Sequence, residues 1–402
     1  MSTIESCRAI PILNSRGDVT VEVTVSAEGF KGRASAPGGA SKGVHEAVAF
    51  PEGGVEQAIK YFRLHVSPRI KGKDPEQQTE IDWTLRDIDG TENFNKIGGS
   101  IAIATSLAVA RLAAAINNKP LHLYLTPRLP VNFPHPLANV IGGGKHAVGG
   151  TDIQEFLSLA TSEDVWEAVH ANARLFKAIG EKLKKKLPEI PLGRGDESAW
   201  VAGLSNIEAL EMLCETCDEI SDLTSVPCRP GLDIAASSLF QDDMYVYREG
   251  KKTREEQISF IIDIVDKYEL AVIEDPLQEE DFAGFADITR QISNKCLVVG
   301  DDLYVTRKDR LERGLSEKST NAILIKPNQV GTLTDTRNTV DLARKNSIST
   351  ITSHRSGETT DDAIAHLAVA FESYAFKAGA VGGERVAKLN ELMRIQDLMG
   401  EQ

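Results

Sequence analysis

Three carboxylates, Asp233, Glu274 and Asp301, each close a short apolar run, RPGLD, LAVIE and CLVVGD. Lys326 closes NAILIK, His354 closes STITSH and Lys377 closes YAFK in the same way. From Glu274 onward these charged positions recur every 23 to 28 residues. Three acids on one surface repel one another unless a cation lies among them. An all-oxygen set drawn from separate segments, with no Cys or His beside it, suits Mg²⁺. The alternative is that each acid pairs with a neighbouring Lys or Arg. A lysine beside such a cation can have its pKa lowered enough to act as a base, and Lys326 is placed for that. The run His354-Arg355-Ser356-Gly357 offers an imidazole, a forked guanidinium and a hydroxyl on one turn, a set suited to phosphate or carboxylate. Together these residues point to metal-assisted proton transfer.

One strand, one helix and two loops fill about 25 residues, so the spacing reads as consecutive β/α units. Charged residues at strand ends are how an (α/β) barrel displays its site. Such a barrel takes about 250 residues, and a chain of 402 residues has room for a second domain. The predicted fold is therefore α/β: a C-terminal (α/β)8-type barrel over 129–402, preceded by an N-terminal α+β domain of antiparallel sheet and helices over 1–128. In the first domain VTVEVTVSAEGFKGRAS alternates apolar and polar residues around Glu28-Gly29, the pattern of a β-hairpin. A loop of small residues, Pro37 to Gly43, follows, and then helical patterns over 53–67, 75–88 and 99–117. Pro120, Pro127 and Pro130 punctuate the boundary. Beyond it, PHPLANVIGGGKHA ends in a flexible glycine loop, and TDIQEFLSLA reads as a short strand carrying Gln154 and Glu155. Helical patterns over 163–187 and 205–222 flank LGRGDESAW, which carries Asp196 and Glu197.

A net charge of −14 without a basic tract argues against nucleic acid or an anionic membrane as partner. The N-terminus lacks an apolar leader. The longest apolar stretch, Ile101 to Ala115, is interrupted by Arg111 and falls short of the roughly 20 residues of a membrane span. Five cysteines make no disulfide framework, and Cys214 and Cys217 fall within a helical pattern as buried thiols. A cytoplasmic protein with a small-molecule substrate is expected.

Over essentially its whole length the chain resembles the enolase (phosphopyruvate hydratase) family. LNSRGDVTVEV, GGASKGVHEA, DIQEF, GLDIAAS, IEDP, VGDDLYVT, SHRSGET and ERVAKLNELMRI carry the resemblance. SHRSGET with IEDP and GDDLYVT separates it from muconate-cycloisomerase and mandelate-racemase relatives. The resemblance implies a lyase of glycolysis and gluconeogenesis that dehydrates 2-phospho-D-glycerate to phosphoenolpyruvate. It implies that Asp233, Glu274 and Asp301 bind one Mg²⁺ and that Ser41 helps ligate a second. It implies that Lys326 abstracts the C2 proton to give a metal-stabilised enolate. Glu197, with Glu155 beside it, would then protonate the departing C3 hydroxyl. By the same resemblance Arg355 and Ser356 hold phosphate, Lys377 holds the carboxylate, and His146, Gln154 and His354 line the pocket. A homodimer or higher homo-oligomer, joined largely through the N-terminal domain, is also implied. For Glu197 to donate at neutral pH its pKa must be raised, which a charged Glu155 would do.

Four loops depart from the family pattern. PSGAST becomes Pro37-Gly38-Gly39-Ala40-Ser41-Lys42, where the extra glycine adds backbone freedom. GDEGG becomes Gly195-Asp196-Glu197-Ser198-Ala199, and LDSRG becomes Leu13-Asn14-Ser15-Arg16-Gly17. The segment from Lys377 to Arg385 is one residue shorter and lacks a proline, which puts the position of Lys377 in doubt. These departures keep open an enolase-fold paralogue acting on another phosphorylated or carboxylated substrate. A non-enzymatic protein on this scaffold would have no reason to retain Lys326, Glu197 and the three acids together.

Overall fold

Val21, Val23, Val25 and Ala27 are fully buried along β2 (Val19–Ala27), the middle strand between β1 (Ser6–Leu13) and β3 (Phe30–Ser35). The computed structural model describes residues 2–40, 43–126, 130 and 132–400, so Ser41, Lys42 and the 128/129 boundary lie outside the described residues. The alternation along β2 is that of an antiparallel sheet with one face covered. β2 and β3 are joined by a two-residue turn, Glu28 at φ 52° and Gly29 at φ 81°, whose twist matches that of the strands.

The cover is a helix, Gly99–Ile116, in which 15 of the 18 residues are buried. Gly32 permits the contact: a Cβ there would collide with the carbonyl oxygen of Ala108. By length and composition this helix could cross a membrane, yet it lies inside the molecule. A helix apolar on all sides is what burial on all sides requires. Helices Gly54–Tyr61 and Gln78–Asp89 complete the unit.

Eight strands form the barrel: β4 (His135–Gly142), β5 (Glu155–Ala160), β6 (Cys228–Asp233), β7 (Val272–Glu274), β8 (Leu297–Gly300), β9 (Ala322–Ile325), β10 (Ser349–Ser353) and β11 (Ala375–Lys377). They are hydrogen-bonded in that order, and β11 closes on β4. β5 runs antiparallel to both neighbours, while the other pairs are parallel. Two helices, Val165–Lys186 and Asn206–Thr224, follow β5 in succession; from β6 onward one long helix follows each strand. The expected barrel is therefore present with one reversed strand. Leu137, Leu157, Val272, Val299, Leu324 and Ile351 fill its interior.

Capping boxes at Ser205/Glu208 and Thr253/Glu256 fix where two of the outer helices start. Cys214 and Cys217 are free thiols on the helix Asn206–Thr224, Cys217 buried as expected and Cys214 only half-buried. Two elements differ from the sequence reading. PHPLANVIGGG, to which the sequence reading gives no element beyond a closing glycine loop, forms β4 as far as Gly142, with Pro136 near the strand start where a missing N–H is tolerated. Short strands at Phe240–Gln241, Met244–Tyr247 and Gly250–Lys252 form a small sheet inserted after β6.

Candidate active site

Ladder register builds the floor of the site. Glu155, Asp233 and Glu274 are partners across β5, β6 and β7. Because β5 is reversed, its first residue meets the last residues of its neighbours. Asp301, Lys326 and His354 directly follow β8, β9 and β10, and Lys377 ends β11. All of these side chains therefore gather at one end of the barrel, with Glu274 only 1% and Lys377 only 2% exposed.

The two lysines sit among the acids. Lys377 Nζ lies 2.6 Å from Glu274 Oε2, 3.0 Å from Glu155 Oε2 and 3.5 Å from Asp233 Oδ2. Lys326 Nζ pairs with Asp301 Oδ2. Gln154 donates its amide to Asp233 at 3.2 Å, and Gln329 donates to Asp301 at 3.0 Å. Acids still outnumber ammonium groups. Burial and then the charge of Asp233 push the Glu274 carboxyl well above its ordinary value. Glu274 Oε1 is buried without a hydrogen-bond partner among the described residues. Repelling carboxylates, one orphaned oxygen and an all-oxygen donor set fit a hard divalent cation held by Asp233, Glu274 and Asp301. A tighter acidic group, Asp275, Asp301 and Asp302, has its ligand atoms within 4.8 Å of one another. Asp275 is occupied with the backbone, accepting the N–H groups of Asp301 at 3.0 Å and Asp302 at 2.7 Å. It shapes the turn that presents Asp301.

Glu155, which also meets Lys377, and Glu197 flank one imidazole. His146 Nδ1 lies 3.4 Å from Glu155 Oε1 and 3.6 Å from Glu197 Oε1. Glu197 Oε2 accepts from Asn139 at 3.1 Å and lies 3.3 Å from His354 Nε2. One expectation from the sequence, a raised Glu197, fails here. Burial would raise Glu197, but His354, His146 and Arg385 outweigh it and hold the carboxyl well below its ordinary value. Glu155 is the member that rises, through burial and the charge of Glu197. Burial would lower Lys326, but the Asp301 carboxylate outweighs it and raises the ammonium.

The N-terminal unit closes the mouth. Gly38 and Gly357 exchange N–H···O bonds of 2.7 and 2.8 Å, and the Ala40 N–H donates to Ser356 Oγ at 2.6 Å. The extra glycine at 38 is thus pinned rather than loose. Arg355 forks onto Glu46, with Nη1 2.9 Å from Oε2 and Nη2 3.0 Å from Oε1, and both side chains are buried. Sequence reasoning missed Glu46; 309 residues separate it from Arg355, and no local pattern marks the pair. Arg16, in the departing LNSRG segment, reaches Asp196 Oδ2 at 2.6 Å and so braces the loop of Glu197.

Ser198 adopts φ 62°, the left-handed region where the family pattern has glycine. Across from it, a Cβ on Gly382 would come within 2.5 Å of Ser198 Oγ. A side chain at 198 and its absence at 382 fit each other. Lys377 is not displaced by the shorter segment after it: it stays in register with Ser353, and turns at Gly379 and Gly382 bridge the gap.

Gly39, Asp233, Asp301, Lys326, Glu155 and Glu197 are among the residues enclosing a cavity of about 20 Å³, room for little more than one water. Lys326 and Lys377 must leave their carboxylates for anything larger to bind. Clefts of about 380 Å³ beside Arg86 and about 840 Å³ beside His135 are roomier. Among the described residues neither gathers comparable groups.

Residues 4–125 match the family described as "Enolase, N-terminal domain", and residues 130–402 match "Enolase, C-terminal TIM barrel domain". Similar curated proteins include the enolase of Methanothermobacter thermautotrophicus, 47% identical over 98% of this chain and 97% of the relative. The enolases of Thermoplasma acidophilum and Archaeoglobus fulgidus are each 45% identical over 98% of this chain and 98% of the relative.

Proposed function

The chain belongs to the enolase family, and from that premise we propose how its own residues carry the reversible dehydration of 2-phospho-D-glycerate to phosphoenolpyruvate. The observation that carries the reading is a single cavity with a lysine on one side, a carboxyl pair on the other and acids on the floor. Lys326 takes the C2 proton. Arg355 and Ser356 hold the phosphate, and Lys377 exchanges its carboxylate partners for the substrate carboxylate. His146, Gln154 and His354 form the walls. Asp233, Glu274 and Asp301 would hold Mg²⁺, and Ser41 would help ligate a second Mg²⁺. When bound, Mg²⁺ supplies the positive charge that makes a proton beside a carboxylate removable.

The leaving hydroxyl needs a proton from Glu197. Glu155 and Glu197, with His146 between them, cannot both be ionised cheaply, so the pair retains a proton. Of the two, Glu155 is the more readily protonated in the resting geometry, since burial and the charge of Glu197 raise it. The negative charge of the substrate raises Glu197 and moves the proton toward C3.

The 128/129 domain boundary, a role in glycolysis and gluconeogenesis, a cytoplasmic location and a homodimer or larger homo-oligomer belong to the same reading. The free edge strand β1, with Leu13 66% exposed beside its β2 partner Val19 at 50%, supports assembly through the N-terminal domain. Purified protein supplied with Mg²⁺ and 2-phospho-D-glycerate should develop the ultraviolet absorbance of phosphoenolpyruvate. Silence with Mg²⁺ in excess, or faster turnover of another 2-phospho or 2-hydroxy acid, would overturn the reading.

A further inference from the structure

Arg385 is fully buried near the start of the last helix, Gly383–Gly400, and touches both halves of the site. Its Nη1 lies 2.8 Å from His354 Nδ1 and also bonds the carbonyl oxygen of Arg355. Its Nη2 donates to the carbonyl oxygens of Ser356 at 2.7 Å and Asp196 at 3.4 Å. The neighbouring Glu384 Oε1, 3.3 Å from Nε, offsets its charge. One guanidinium therefore joins the loop of the phosphate residues to the loop of Glu197.

A guanidinium has donors only. His354 Nδ1 must accept from it, which leaves the imidazole proton on Nε2. That nitrogen is buried and makes no hydrogen bond of good geometry among the described residues, and Glu197 Oε2 lies 3.3 Å from it. We propose that Arg385 is a positioning residue that locks His354 in the Nε2–H tautomer, so that His354 presents a donor to Glu197 Oε2 and leaves Oε1 free for the proton in play. With the opposite tautomer Nε2 would offer a lone pair to a carboxylate, two acceptors would face each other, and Glu197 would turn away.

The groups facing His354 agree with this assignment. They are Arg385 from the last helix, Glu197 from its loop, and Lys377 from β11, whose carbonyl oxygen accepts the His354 N–H at 2.9 Å. Burial pushes the imidazole down to about 4 against the pull of Glu197, and Arg385 adds to the push. A ring that accepts from Arg385 has no vacant position for a second proton, so the contact that sets the tautomer also adds to burial in keeping the ring neutral.

The inference rests on the role proposed for Glu197, and its test separates the two. In protein labelled with ¹⁵N-histidine, with the His354 signal assigned by its loss in His354→Gln, the expected spectrum near neutral pH shows Nε2 protonated and Nδ1 bare. Arg385→Met should populate both tautomers and raise the His354 pKa, moving the acidic limb of the kcat profile upward. Its kcat should fall on the order of 10²-fold, as for other misoriented catalytic groups, while KM changes less. An Nδ1–H tautomer in the wild type would overturn the proposal. So would a folded Arg385→Met protein with an unchanged tautomer, kcat and pH profile. If that variant does not fold, the wild-type spectrum decides by itself. A wild type with the expected tautomer but no turnover of 2-phospho-D-glycerate would sink only the functional reading.

Discussion

Asp233, Glu274 and Lys377 stand where ladder register puts them, whereas Glu197 and Arg355 stand where individual side chains hold them. In the first region a misplacement of one residue would turn a whole strand inside out, so the geometry is enforced by many backbone bonds at once. In the second, the loop of Glu197 is braced by Arg16 and Arg385, and Arg355 rests on Glu46. The contrast shows where a sequence can drift. All four departures from the family pattern fall in the closing loops, and none falls on a strand end.

The largest effect tests the rim. Lys326→Ala should lower kcat by about 10⁴-fold, the upper range for a lost general base, with substrate affinity by calorimetry nearly unchanged. Normal turnover would remove the rim from the chemistry altogether. Next, Glu197→Gln should lower kcat by about 10²- to 10³-fold yet still allow exchange of the C2 proton with solvent deuterium. Loss of exchange too would mean that the loop serves binding rather than proton delivery. Arg16→Ala loosens the same loop from outside. A roughly tenfold fall in kcat/KM is expected. Its stability cost should stay below about 1 kcal/mol by urea titration, because both partners are about a third exposed. A large loss of stability would place Arg16 with the scaffold instead. The smallest effect is Ser198→Gly. Removing a side chain from the left-handed region gains about 1–2 kcal/mol and the extra chain entropy of glycine returns part of it. A rise in Tm of about 1–2 °C should remain. An unchanged Tm would show that the space at Gly382 already removes the strain.

The rim was legible because a charged residue ending an apolar run, repeated at β/α spacing, seldom arises except where strand ends share one surface. Its members Asp233, Glu274, Asp301, Lys326 and Lys377 converge in the structure as the spacing implied. β4 was not legible, since Pro134, Pro136 and three consecutive glycines mimic a loop, and the reversal of β5 leaves no mark in its own pattern. Glu46 and Arg385 were hidden for another reason. Each acts on a residue remote in sequence, and nothing local distinguishes a buried charge from a solvated one. The charge state of Glu197 was hidden too, because it depends on which groups stand behind it. Motifs name the groups in a site without ordering their distances.

The helix Gly99–Ile116 has a consequence during synthesis. As it leaves the ribosome it is, by length and apolarity, a segment that insertion machinery could accept as a membrane anchor. The strands that cover one of its sides, residues 19–35, have already emerged and can shelter it at once. Its other side waits for Leu333, whose N–H donates to Ser106 Oγ at 2.9 Å and which is made more than two hundred residues later. For most of translation this protein therefore carries a half-dressed greasy rod, and chaperone demand should track the delay before the barrel arrives.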